Sequence, residues 1–96
     1  MPTYHFVAAS KHFMTVVEPV HEILTERQRN YQAQGKPIDF WWVDQPQFLL
    51  EPQFAQLACP RPAVAVVSTD PLFIRWLKNR LAYVVTSSLV SPEIPC

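Results

Sequence analysis

Six consecutive residues in the middle of the chain, Ile38-Asp39-Phe40-Trp41-Trp42-Val43, constrain the fold more than any other feature. Five large, mostly β-favouring side chains in so short a run read as a strand. Alternation places Asp39, Trp41 and Val43 on one face and Ile38, Phe40 and Trp42 on the other. Both faces of such a strand must be covered. A carboxylate held among apolar groups is costly unless it is paired or hydrogen-bonded, so Asp39 needs a partner in the fold or on another molecule.

The rest of the chain supplies the layers. Tyr4 to Ala9 reads as a first strand. Thr15 and Glu18 have capping-box spacing, with Pro19 expected in the first turn of a helix that runs to about Gln34. Val17, Val20, Leu24 and Tyr31 fall on one stripe of that helix, with Glu18, Glu22 and Glu26 early in it and Arg27 and Arg29 late, as the helix dipole favours. Gly35, the only glycine, is a helix stop ahead of Lys36-Pro37. From Asp44 to Pro62 the prolines Pro46, Pro52, Pro60 and Pro62 leave room only for a short helix, with Phe54, Leu57 and Ala58 on one face. Ala63 to Val67 is a buried strand. Asp70 caps a further helix with Pro71 at its first position, ending near Leu81. Tyr83 to Thr86 is the fourth strand.

The expectation is an α+β or α/β fold with a single four-stranded sheet, two long helices and one short helix, in the order strand-helix-strand-helix-strand-helix-strand. One compact domain over residues 1–87 is expected, with 88–96 a frayed tail. Strand order is not fixed by the pattern.

Several function classes drop out. Eight basic and eight acidic residues cancel, so there is no electrostatic footprint for nucleic acid or an anionic membrane. No apolar run approaches the roughly 20 residues of a membrane span, and the start of the chain lacks signal or transit character. A soluble protein made in its compartment of use is expected. Cys59 and Cys96 have no metal-finger spacing and suit a reducing compartment. One glycine cannot build a phosphate loop or dinucleotide fingerprint.

Catalytic constellations fare no better. Glu18 and His21 have the E-x-x-H spacing of di-iron helices, with Glu22 and Glu26 nearby, but no second such motif exists. His21-Glu22 begins like a zinc-protease motif, yet Thr25 stands where the second histidine belongs. His5 and His12 are isolated. Ser10, Ser68, Ser87, Ser88 and Ser91 fall in turns or tail, where capping accounts for them, and Cys59 reads as a small apolar residue. No metal and no cofactor is expected. Arg80 is the most telling charge after Asp39: at about 100° per residue it projects near Phe73 and Trp76, whereas Arg75 and Lys78 read as solvated. Its head either snorkels to water, bridges a carboxylate such as Asp39, or faces a partner protein.

Three segments, Tyr4 to Ser10, Asp39-Phe40-Trp41 within the central run, and Val67 to Pro71 leading through Phe73, Trp76, Leu77, Lys78 and Arg80 to Leu81 and Tyr83, carry a family resemblance. Over residues 3 to 86 the chain resembles the small accessory-subunit family of the aerobic magnesium-protoporphyrin IX monomethyl ester oxidative cyclase of cyanobacteria and chloroplasts. The resemblance implies a non-catalytic partner of a membrane-associated di-iron protein in chlorophyll biosynthesis, in a cyanobacterial cytoplasm or plastid stroma and at the thylakoid only through that partner. It implies partner-binding roles for Asp39, Phe40 and Arg80, and a packing role for Ala9. It assigns none to Trp42 or Ala82. Two other readings stand beside it: a tetrapyrrole carrier using Trp41, Trp42 and Trp76, and a small enzyme with Asp39 as a tuned acid. An exposed Phe40 beside Arg80 would anchor an interface; a buried one would be core.

Overall fold

The computed structural model describes residues 2–57, 59–81 and 83–96. Its elements are β1 (Thr3–Ser10), α1 (Val20–Gln34), β2 (Phe40–Asp44), β3 (Ala63–Ser68), α2 (Pro71–Arg80) and β4 (Val85–Val90). A wide helical turn, Phe13–Val17, precedes α1, and two short 3-10 turns, Gln47–Leu50 and Pro52–Phe54, lie between β2 and β3. The sheet order is β2-β3-β1-β4 and every neighbouring pair is antiparallel. Both β1 and β2 therefore oppose β3 and run parallel to each other with β3 between them. β3 and β4 bracket β1 in the same way. Two interleaved split β-α-β units of this kind make a ferredoxin-like α+β fold.

The alternation expected of the central run holds along β2. Phe40 and Trp42 join the helix-side core with Val7, Ala9, Val64 and Val66 beneath Val20, Leu24, Tyr31, Phe73, Ile74 and Leu77. Trp41 and Val43 join the opposite core, where Tyr4, Phe6, Ala8, Ala65 and Val67 meet Phe48, Leu49 and Phe54. The second face is covered by the proline-rich segment, not by a helix. Phe6 anchors it through edge-on contacts with Phe48 and Phe54, at ring distances of 4.9 and 5.3 Å.

Cap chemistry explains the helix ends. Asp70 accepts from the N–H groups of Leu72 and Phe73 at 3.0 and 3.4 Å, and Pro71 needs no acceptor. Gly35 is left-handed at φ 66°, and the Lys36 N–H reaches the Tyr31 carbonyl at 2.9 Å, closing α1.

Three boundaries depart from expectation. The capping box at Thr15 and Glu18 does not form: the Thr15 hydroxyl donates to the Lys11 carbonyl, and the Glu18 N–H donates to Phe13, closing the wide turn. Glu18 precedes a proline and is extended, so helix cannot run through it, and α1 starts after Pro19. Val17 consequently leaves the apolar stripe and is exposed. β4 starts two residues later than expected and continues through Val90, past the expected domain boundary at 87 and into the segment expected to be tail. Pairing of Ser87 with Phe6 and Ser88 with His5 overrides the weak strand preference of serine. Beyond it Pro95 is buried, and the Cys96 carbonyl accepts from Gln47 and Phe48, which ties the end of the chain to the second core. In the short-helix region Phe54 is buried and Leu57 partly so, while Ala58 lies outside the described residues.

Candidate functional site

Asp39 sits one residue before β2, so its side chain is not bound to the pleat. It turns to α1, where the Tyr31 hydroxyl donates to Oδ1 at 2.9 Å. That hydroxyl accepts from Arg27 Nη2 at 2.7 Å, and the same nitrogen reaches Asp70 Oδ2 at 3.3 Å. One guanidinium thus holds two carboxylates, Asp70 directly and Asp39 through a phenol. The backbone repeats the connection: buried Ser68 donates its hydroxyl to the Asp39 carbonyl at 2.8 Å and accepts from the Asp70 N–H at 2.9 Å. Helix-cap, strand start and α1 are thereby locked into one unit.

Aromatic rings support the guanidinium from below. Arg27 lies 3.8 Å over Phe73, 4.9 Å from Tyr31 and 5.6 Å from Phe40, and Phe40 contacts both other rings edge-on. Its Nε is buried without an acceptor among the described residues, leaving the ring face as its compensation. Phe40 is 6% exposed, so it is core, and any part it takes in recognition passes through Arg27 and Tyr31.

Arg80 does not meet Asp39. It pairs with Glu18 at 3.8 Å, with just over half of its side chain exposed. Asp70 and Arg80 stand at opposite ends of a 10-residue helix, roughly 15 Å apart along its axis. Trp76 is half exposed, so it marks the margin of the stripe, and Arg80 follows it outward. The counter-charge in the Asp39 cluster is Arg27, which the dipole pattern alone explains at sequence level. Arg27 and Tyr31 are four residues apart, one helical turn, and that spacing on a buried stripe was the available signal.

The remaining candidates disperse. Glu18 lies outside α1, His21 stacks on Trp42 at 3.8 Å, and no group of three or more metal-ligating side chains assembles among the described residues. Trp41 leans on Tyr4 across the other face and Trp76 on Phe73, so the three tryptophans do not converge. Ser10 accepts from the Phe13 N–H, a capping role. Burial pushes the Cys59 thiol up, the Arg61 guanidinium pulling the other way, as suits an unreactive small side chain. Ala9 is 3% exposed opposite Val64.

Open surfaces flank both ends of α2. Between α1 and α2 a groove of about 560 Å³ has apolar walls of Ile23, Leu72, Phe73 and Trp76 and polar ones of Glu26, Arg27, Asn30 and Asp70. At the far end of α2, Arg80 reaches Glu18, the residue after exposed Val16 and Val17, and exposed Tyr83, three residues beyond Arg80, is edge-on to Phe13 at 6.2 Å. No helix among the described residues is long and apolar enough to cross a membrane.

Fold and site together define a small α+β protein whose polar cluster is largely paired within the chain and whose open surfaces mix apolar and charged side chains. The chain belongs to the Ycf54 protein family, whose model matches residues 2–91. It is 45% identical over 95 residues to a Ycf54-like protein of Synechocystis, covering 97% of this chain and 71% of that one. It is 40% identical over 93 residues to the chloroplastic YCF54 protein of Arabidopsis thaliana, covering 95% of this chain and 44% of that one. The crystal structure of Ycf54 from Thermosynechococcus elongatus superposes with a TM-score of 0.88 at 52% identity, over 93% of this chain and 85% of that one.

Proposed function

We propose that this chain is the non-catalytic accessory subunit of the oxidative cyclase that forms the isocyclic ring of chlorophyll, and that it acts by binding the di-iron catalytic subunit. The observation that carries the reading is the surface at the end of α2. There an arginine has only a long ion pair, to Glu18, which directly follows exposed Val16 and Val17 in the chain, and exposed Tyr83 comes three residues after Arg80. Arginine and aromatic groups ringed by apolar contact are what protein interfaces use as anchors. A partner carboxylate can replace Glu18 on Arg80, whereas Asp39 and Phe40 act from beneath by fixing Tyr31 and Arg27. Family membership in cyanobacteria and chloroplasts supports a place in or beside the photosynthetic membrane, reached through the partner.

Co-purification tests this. The chain should be retained by tagged di-iron protein and lost on Arg80→Ala. It should convert no magnesium-protoporphyrin ester by itself. Absence of retention, or turnover by the isolated chain, would overturn the reading.

A further inference from the structure

The two edges of the sheet are finished differently. The β2 edge is flanked by Pro37 and ends at Asp44, bridged to Lys11 at 3.4 Å, followed by Gln45 at φ 51° and Pro46. The β4 edge runs Val-Thr-Ser-Ser-Leu-Val without a charge or a proline. Proteins blunt exposed edges with such residues, and β4 has none of them.

Ladder phase shows which groups are open. The Ser91 N–H donates to the Pro2 carbonyl at 3.2 Å, so the directly bonded pairs with β1 are Leu89–Tyr4, Ser87–Phe6 and Val85–Ala8. The N–H and C=O groups of Thr86, Ser88 and Val90 then point away from the sheet. No backbone bond from another loop or turn of the described residues reaches them.

Beside this edge, on the helix side, lies a groove of about 400 Å³ lined by His5, Ile74, Arg75, Lys78, Thr86 and Ser88. It holds two cations and no acid. Lys78 spends one proton on the Val84 carbonyl, at 2.9 Å, and keeps two. We infer that β4 is a docking edge for an extended, acid-bearing segment of a partner protein, which adds a fifth strand and sets alternate carboxylates against Arg75 and Lys78. Main-chain bonds to Thr86, Ser88 and Val90 give affinity, and the period-2 placement of acids gives selectivity. A second copy of β4 is disfavoured, because a two-fold axis would bring the cations of both copies to one seam with no acid between them.

The test does not depend on the cyclase. A synthetic seven-residue peptide of alternating glutamate and valine is added at millimolar concentration, and amide exchange is followed by NMR. The Thr86, Ser88 and Val90 amides should gain protection, while a lysine–valine peptide leaves them unchanged. Ser88→Pro removes an outward N–H that β1 does not use, and it should weaken peptide binding about tenfold or more. Should that variant not fold, Arg75→Glu, on the exposed face of α2, should weaken binding in the same sense. Unchanged protection with the acidic peptide, equal binding of the lysine peptide, or a concentration-dependent dimer abolished by Ser88→Pro would each overturn the inference.

Discussion

Arg27 and Arg80 stand by opposite ends of α2 and hold opposite kinds of position. Arg27 is stacked on three aromatic rings, bonded to Tyr31 and Asp70, and three-quarters buried. Arg80 has one ion pair at 3.8 Å and is mostly in solvent. The same side chain is thus a structural bolt at one end and a half-exposed, loosely paired charge at the other. A buried charge that lost its partners would be expensive, so the first end resists change; an exposed pair contributes little, so the second is free to exchange partners.

Substitutions at the two ends should separate these roles, with the largest effect at the buried end. Phe40→Ala removes a core ring that supports both Tyr31 and Phe73, and should cost about 3–5 kcal/mol in urea unfolding. A loss below about 1 kcal/mol would mean that Phe40 is not part of the core. Arg27→Ala takes the guanidinium from Asp70 Oδ2 and from the Tyr31 hydroxyl, which keeps only a long contact to Lys36, and uncovers Phe73; about 2–3 kcal/mol should be lost. Arg27→Lys should recover only part of that, since an ammonium cannot stack as the guanidinium does. Asp39→Asn keeps an acceptor for the Tyr31 hydroxyl, and about 1 kcal/mol is expected. Arg80→Ala should change stability by about 0.5 kcal/mol or less. An Arg80 effect on unfolding as large as that of Arg27 would erase the distinction.

Much of this architecture is legible in the residues, for identifiable reasons. The faces of Phe40, Trp41, Trp42 and Val43 follow from a period of two, and the α2 start follows from the side-chain chemistry of Asp70 with Pro71. Gly35 ends α1 because a left-handed residue is needed there. Other features depend on tertiary geometry. Asp39 lies just outside the strand, so alternation places it on the wrong face, and its partner comes from a helix eight residues earlier in the chain. The capping box at Thr15 and Glu18 satisfies the spacing rule but loses to the wide turn that closes on Phe13. Serines in β4 read as tail until their pairing with β1 is known. Arg80 lies close to the core stripe by angle, but in the last turn of α2 its long stem carries the charge out to Glu18.

The consequence for function is that Asp39, Phe40 and Arg80 do not form one contact surface. Asp39 and Phe40 set the shape of the α1–α2 junction, and Arg80 offers a charge directly. Loss of partner binding at the first two should come with lost stability, and at the third without it.

Affinity for the purified di-iron cyclase protein, measured for wild type and Arg80→Ala alongside their unfolding midpoints, tests this most directly. The account predicts binding weakened about tenfold or more, as for an interface anchor, with the midpoint unchanged. Equal affinity for the two chains, or binding lost only in step with stability, would contradict it.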